Sequence, residues 1–162
     1  MVLRLANAEI LPYDYAEFAR DMRIHLGTTL KNAAAKKWTL DSTALSASID
    51  ALEHSATTFA ATRDAALAKG SPSRAASTRA NASLMLVERA LTRPQGLKTR
   101  PWFRNLIYAA DEDNGYSNMV FPSINEATRA DDQKLAQAEM NDLATRFTNA
   151  ADALNKATAA LR

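Results

Sequence analysis

Two histidines, His25 and His54, are the residues of this chain best suited to bind a metal or to transfer protons at neutral pH. Asp50 lies four positions before His54 and would share a helix face with it, but two ligands do not make a metal site. The sequence has no Glu-x-x-His pair, no His-Glu-x-x-His, no glycine-rich phosphate loop and no Gly-x-Ser-x-Gly. It also has no cysteine, which excludes disulfides and thiolate ligands within this sequence and leaves the compartment open. We therefore expect surface or capping roles for both histidines, no metal or other cofactor, and no catalysis by this chain alone.

A basic and aromatic run in the middle of the chain has two possible partners. Its members are Arg93, Lys98, Arg100, Trp102, Phe103 and Arg104. Such side chains can stack on bases and neutralise phosphates of a single-stranded nucleic acid. The prolines at positions 94 and 101, and the apolar residues after them, favour docking on protein instead. We expect no nucleic-acid partner, and no membrane partner either, because no apolar run approaches the roughly 20 residues that a bilayer-spanning helix needs.

The run belongs to a long connection, residues 92–120, between two stretches of helical pattern. Loops of this length without regular structure are uncommon in compact domains and are usually functional or disordered. Disorder is not expected here, because the segment and its end hold the apolar residues Trp102, Phe103, Leu106, Ile107, Tyr108 and Phe121. The sequence predicts an ordered loop that packs across one end of the helices.

The rest of the chain has the composition of an all-α protein. Alanine is frequent, while glycine and β-branched apolar residues are few. Apolar residues spaced by three and four predict four helices in a single domain over residues 1–162, arranged as an up-down bundle with the long loop between the third and fourth. The predicted helices run from Pro12 to about Lys36, from Asp41 to Gly70, from Ser71-Pro72 to Leu91, and from Phe121-Pro122-Ser123 towards the C-terminus. On the last helix the apolar seam is Ala136, Met140, Leu143, Phe147, Ala150, Leu154, Ala157 and Leu161, a spacing typical of close helix packing.

Charge is unevenly distributed along the chain, although the net charge is only +2. Residues 63–104 contain nine basic and two acidic side chains, and residues 111–142 contain eight acidic and two basic ones. The simplest interpretation is that two neighbouring helices neutralise each other.

Several motifs resemble, in order and spacing, the C-terminal helical domain of the transferrin receptor and glutamate carboxypeptidase II family. They are residues 5–15 (LANAEILPYDY), residues 84–91 (LMLVERAL), the turn Pro94-x-Gly96-Leu97, residues 100–109 (RPWFRNLIYA), and Asn114-Gly115-Tyr116 five residues before Phe121-Pro122. The similarity extends over essentially the whole chain. The domain is known as the transferrin receptor-like dimerisation domain.

This resemblance implies an arrangement that the chain itself does not contain. In the family, the helical domain follows a zinc peptidase domain of the M28 type that carries an inserted protease-associated domain. The zinc ligands and the catalytic glutamate lie in that upstream part, so zinc is expected there and not here. Met1–Ala6 resembles the end of a helix that would begin in the peptidase domain, and the parent is expected to be an extracytoplasmic amino- or carboxypeptidase.

The resemblance also implies a substrate loop. In the glutamate carboxypeptidases a lysine-tyrosine pair before Phe-Pro binds the terminal glutamate of the substrate. Tyr116 matches the tyrosine, next to Asn114, but Gly115 stands where the lysine would be. Without the ammonium group, a charge-assisted contact to a carboxylate is lost. Tyr116 either faces substrate in this way or packs its ring within the loop with its hydroxyl bonded locally.

Two functions from different classes follow. The first is a non-catalytic helical domain that forms a homodimer and completes the cleft of an M28-type peptidase. The second is a free-standing helical module of the same fold that binds another protein. In either case the residues expected to contact a second copy or the peptidase domain are Trp102, Phe103, Ile107, Tyr108, Phe147 and Leu154.

Overall fold

The computed structural model describes residues 7–162, and within them five α-helices and one small sheet are found. The helix end predicted for Met1–Ala6 lies outside the described residues. The helices are α1 (Tyr15–Ala35), α2 (Thr43–Ala68), α3 (Arg74–Ala90), α4 (Pro122–Arg129) and α5 (Gln133–Ala160). Two three-residue strands, β1 (Tyr108–Ala110) and β2 (Asn118–Val120), lie between α3 and α4. The protein is mainly α-helical, as the composition predicts. No helix within residues 7–162 is long and apolar enough to cross a membrane.

The first three helices begin two or three residues later than the sequence predicts, because different polar residues cap them. Asp14, and not the turn at Pro12, caps α1 by accepting a hydrogen bond from the backbone N–H of Glu17 (2.9 Å). Ser73 caps α3 in the same way. Asp41 lies two residues before α2 and accepts from the N–H of Thr43 (2.9 Å), while Ser42 occupies the N-cap position.

The predicted fourth helix is wrong in one respect, since the chain folds it as two helices. After α4 the backbone of Asp131 enters the left-handed region with φ +56°, which aspartate tolerates better than most residues. Asp132 then caps α5 by accepting from the N–H of Leu135 (2.9 Å). Lys36 at the end of α1 forms an ion pair with Asp131. The break lets α4 fold back and pack on α5.

Helix α5 is the central element of the fold. It packs chiefly against α2 and α3, and also against α4, while α1 packs mainly against α2. Phe147 of α5 is fully buried, with Phe121 edge-on at 6.4 Å and Phe18 stacked at 6.3 Å between ring centroids. Apolar residues spaced by three and four form one stripe along α2, and all of them are buried: Leu45, Ile49, Leu52, Ala56 and Phe59.

Much of the inner surface of α5 is alanine. Six alanines of this helix are at most 6% exposed: Ala136, Ala144, Ala150, Ala151, Ala153 and Ala157. A methyl side chain lets neighbouring backbones approach closely without leaving a void. The helices that approach it are α2 and α3 of the same chain, so the seam predicted for α5 lies inside the fold.

The predicted loop between α3 and α4 is ordered and contains two substructures. The first, residues 93–104, leaves and rejoins the bundle at one place, where Thr92 pairs with Asn105 and the N–H of Leu106 donates to the carbonyl of Leu91 (3.2 Å). We call it the lobe. The second is the antiparallel hairpin of β1 and β2, in which Ala109 lies opposite Met119. Buried Leu97, Leu106 and Ile107 anchor both to the core, which confirms the predicted packing against the helices.

Candidate interaction surface

Arg93 holds the base of the lobe against α5. Its side chain is about nine-tenths buried, and Nη1 donates to Glu139 (2.7 Å) and Asp142 (3.3 Å). Nε donates to the carbonyl of Gly96 (2.9 Å), so one guanidinium joins the lobe backbone to the helix. Glu139 is only 4% exposed, and a carboxylate so deeply buried requires a charged partner.

Gly96 makes the tight turn of the lobe possible. Its φ is +66°, a conformation that L side chains rarely adopt. A Cβ at this position would lie 2.1 Å from the carbonyl oxygen of Pro101 and 2.8 Å from that of Phe103. Only glycine fits this close approach of backbone segments, so the Pro-x-Gly-Leu motif has a steric cause.

Arg100 joins the lobe to both the hairpin and α4. Its Nη1 donates to the carbonyl of Ala110 (2.8 Å), and Nη2 forms an ion pair with Glu126, which also accepts from the hydroxyl of Thr99. The predicted neutralisation between two helices is wrong in one respect. The basic and acidic segments do meet, but the arginines concerned come from the lobe and not from a helix. Arg93 and Arg100 come from the basic segment, and Glu126, Glu139 and Asp142 from the acidic one.

Three aromatic side chains of this region point outward. Trp102 in the lobe is 76% exposed, with its ring edge-on to the half-buried Phe103 at 5.7 Å. Tyr108 on β1 is 57% exposed, and Tyr116 in the hairpin turn is completely exposed. Buried residues anchor the backbone near Trp102 and Tyr108, whereas Tyr116 stands on a turn whose own residues are exposed.

The hairpin turn, residues 111–117, is organised around the carboxylate of Asp111. Its Oδ1 accepts from the backbone N–H groups of Asp113 (2.9 Å) and Asn114 (3.3 Å). Arg129, the last residue of α4, donates to both oxygens of Asp111, at 3.0 and 2.5 Å. These contacts, first those of Arg129 and then those of the backbone, hold the pKa of Asp111 well below its usual range. The carboxylate therefore stays ionised at neutral pH.

A cleft of about 310 Å³ lies beside Tyr108, between the start of α1, the end of α3 and β1. Tyr13, Tyr15 and Phe18 form its aromatic wall. The hydroxyl of Tyr15 donates to the carbonyl of Leu84 (3.1 Å), and burial, with Glu88 nearby, raises its pKa. Tyr13 and Tyr15 belong to the motif of residues 5–15, but the sequence alone assigns them no site, because only the fold brings them to β1.

The model of the transferrin receptor-like dimerisation domain matches residues 40–155. The chain belongs to this family. A probable glutamate carboxypeptidase of Arabidopsis thaliana is 33% identical over 128 residues, which cover 78% of this chain and 18% of the relative. The chain thus spans less than a fifth of the length of that relative. The likeness inferred from the motifs is confirmed, and the domain is a dimerisation domain of a peptidase-like family.

The dimerisation domain keeps three of its predicted contact residues inside its own core. Ile107 is 4% exposed, and Phe147 and Leu154 have no exposed area. Both lie on the central helix α5, where Phe147 packs on Phe18 and Phe121, and their complete burial leaves no side-chain surface for a second copy. Of the other three, Trp102 and Tyr108 are open to a partner and Phe103 is partly covered.

The hairpin turn of the dimerisation domain, with Tyr116, is open to solvent. The ring of Tyr116 packs against nothing, so the alternative in which it packs within the loop is wrong. Its backbone N–H donates to the side chain of Asn114 (3.3 Å), and the Asn114 amide donates to the Ser117 hydroxyl (3.1 Å). Gly115 has open space where a Cβ would stand.

The side chains considered as metal ligands have separate surroundings. Asp50 is paired with Arg23, His54 is exposed, and His25 lies at a cleft of about 540 Å³ between α1, β2 and α4. Over residues 7–162 no three His, Cys, Asp or Glu side chains are placed to hold one ion. These residues do not fit the zinc ion that the resemblance implies for a peptidase domain.

Proposed function

We propose that this chain is the non-catalytic helical domain of a glutamate carboxypeptidase-like zinc peptidase of the M28 type, where it forms the homodimer and completes the substrate cleft. The observation that carries the proposal is the outward display of Trp102 and Tyr108 beside buried anchors of the core, with Tyr116 exposed on the neighbouring hairpin turn. Aromatic side chains are enriched in protein interfaces. Binding a partner costs little conformational entropy when the backbone that carries the contact residues is already ordered.

The electrostatics of the lobe support a protein partner over a nucleic acid. Of the four basic side chains in the run, Arg93 and Arg100 are bound to buried carboxylates of this chain. Lys98 and Arg104 alone remain exposed, which is a small charge for a phosphate backbone. Trp102 beside them offers apolar area that a peptidase domain or a second copy would cover.

Self-association should be visible with the chain alone. We expect a concentration-dependent monomer–dimer equilibrium in sedimentation equilibrium, because symmetric dimers are the commonest way to cover exposed apolar surface. In the parent protein the peptidase domain would contribute further interface area. The isolated domain should therefore bury less than the roughly 1,000 Å² of a stable interface, and its dimer should be weak. Monomer alone at the highest soluble concentration would contradict the proposal.

Trp102→Ser should weaken the dimer if the lobe takes part, and Arg23→Ser, on the exposed face of α1, serves as the control.

The substrate preference of the parent should follow from Gly115. We infer that the parent does not recognise a C-terminal glutamate through a lysine-tyrosine pair, because Tyr116 stands without a neighbouring ammonium group. In the protein that joins this domain to its peptidase domain, Gly115→Lys should raise kcat/KM for a glutamate-terminated substrate relative to a glutamine-terminated one. A charged hydrogen bond is worth about 1.5–3 kcal/mol, so the gain should be roughly 10- to 100-fold.

Gly115→Ala is the matched control for this substitution, since a Cβ meets nothing within 4 Å and adds no charge. It should leave the ratio of the two kcat/KM values unchanged. An unchanged ratio in Gly115→Lys as well would mean that the tip of the hairpin does not reach the substrate carboxylate. The cleft-completing part of the proposal would then be abandoned, whereas the dimerisation part is decided by sedimentation.

A further inference from the structure

The tip of the hairpin cannot hold its own conformation by packing. Its two strands have three residues each, and an isolated two-stranded hairpin is at best marginally stable in water. Ala109 and Met119 are buried at the base, but residues 112–118 are all exposed. Tyr116 at the tip makes no side-chain contact that would fix it. Its position therefore depends on the hydrogen bonds of the turn backbone.

Those hydrogen bonds converge on Asp111. Its backbone N–H donates to the carbonyl of Ser117 (2.8 Å) and closes the turn, while its carboxylate accepts from two backbone N–H groups inside the turn. The same carboxylate is 13% exposed, although every residue that follows it in the turn is open to solvent. Fixing this one side chain fixes the path of the backbone from 111 to 117.

Arg129 supplies the link between this turn and the rest of the molecule. It lies at the end of α4, a helix held in place by the buried residues Ile124 and Ala127. Its guanidinium takes both oxygens of Asp111 as a fork and reaches Asp113 at 3.2 Å. Among the described residues it is the one side chain from outside the hairpin that hydrogen-bonds to residues 111–117.

We propose that Arg129 is a positioning residue, which fixes the hairpin turn through Asp111 and thereby sets where Tyr116 stands. The meaning of that position rests on the proposed function, in which Tyr116 faces the substrate. An exposed ion pair usually contributes little, but this one differs in two ways. It is bidentate, which gives it directional specificity, and its acceptor is the carboxylate that organises the turn.

Backbone ¹⁵N relaxation of the 162-residue chain tests the proposal. In the chain without substitutions, the amides of residues 112–117 should have order parameters near the value of about 0.85 found for rigid backbone. In Arg129→Gln they should fall towards the value of about 0.6 or less that marks flexible segments. Amides of α2 and α5 should keep their order parameters, which separates loss of positioning from general loss of stability. Turn order parameters unchanged in Arg129→Gln, or a fall of equal size throughout the chain, would overturn the proposal.

Two further variants and a control sharpen the result. Arg129→Lys keeps the charge but cannot donate to both oxygens of Asp111 as a fork. The turn should therefore be less ordered than in the unsubstituted chain and more ordered than in Arg129→Gln. Asp111→Asn keeps one side-chain oxygen for the backbone N–H groups and loses the ion pair, so it should resemble Arg129→Gln. Arg23→Gln removes a similarly exposed arginine that binds Asp50 and Glu53 on α2. The turn should not respond to it.

Tyr116→Ala separates this proposal from the function on which it rests. Because the ring contacts nothing, the variant should leave the order of residues 112–115 unchanged. In the parent peptidase it should raise KM if the tyrosine meets substrate. An unchanged KM would end the substrate role of Tyr116, while the role of Arg129 would still be decided by the relaxation data alone.

Discussion

Replacing Arg93 with alanine should lower the free energy of unfolding by about 3–5 kcal/mol, the range for breaking a buried ion pair from one side. The cost arises because Glu139, at 4% exposure, would lose its closest cation while it remains buried. Asp142 would suffer less, since it retains Arg146 at 3.2 Å. Urea denaturation monitored by circular dichroism would measure the change as a shift of the midpoint at unchanged slope.

Two variants show whether the charge or the side-chain volume is responsible. Arg23→Ala removes an arginine from exposed pairs with Asp50 and Glu53 and should cost no more than about 1 kcal/mol. The double variant Arg93→Met, Glu139→Leu removes both buried charges and should be clearly more stable than Arg93→Ala. If the double variant is as unstable as the single one, the loss comes from packing of the lobe and not from an unpaired carboxylate.

Gly96→Ala should be similarly destabilising, by about 2–6 kcal/mol, from backbone strain of about 1–3 kcal/mol and overpacking of similar size. The new Cβ would have to push apart backbone atoms of Pro101 and Phe103 that lie 2.1–2.8 Å from it. Opening the turn would also draw the Gly96 carbonyl away from Arg93 Nε. A fall in melting temperature with increased proteolysis within residues 93–104 is the expected result.

Gly115→Ala is the natural comparison, because it makes the same chemical change at a site with no neighbour within 4 Å and no positive φ. Its effect on stability should be within about 0.5 kcal/mol, as for ordinary surface substitutions. Equal melting temperatures for Gly96→Ala and Gly115→Ala would contradict the steric account of the lobe.

The helices were predictable because apolar residues recur every three or four positions along them. The stripe of α2 lies entirely in the core, since spacing of three and four residues fixes one face of a helix whatever packs on it. The charge imbalance predicted that two neighbouring helices neutralise each other, whereas the arginines that meet the acidic segment lie in the lobe. It could not predict which side chains meet, because Arg93 and Glu139 are 46 residues apart.

The hairpin and the helix break depend on contacts that the local pattern does not specify. Strand β1 has one buried residue, Ala109, and its partner strand lies beyond a seven-residue turn, so no alternation is long enough to indicate a strand. The break before α5 was visible only as the adjacent pair Asp131-Asp132. Tertiary packing determines that Phe147 is buried within the chain and that Tyr116 does not pack against its own loop.

The alanine-lined face of α5 changes which substitutions the domain can accept. In most cores the harmful change is the loss of volume, because a shortened side chain leaves a cavity. Ala150, Ala153 and Ala157 have almost no side-chain volume to lose, and all three are buried. Here the harmful change is a gain of volume, because each added methylene must push two helices apart. Sequence variation along this part of α5 is therefore limited by an upper bound on side-chain size, so that glycine, alanine and serine are the residues that fit.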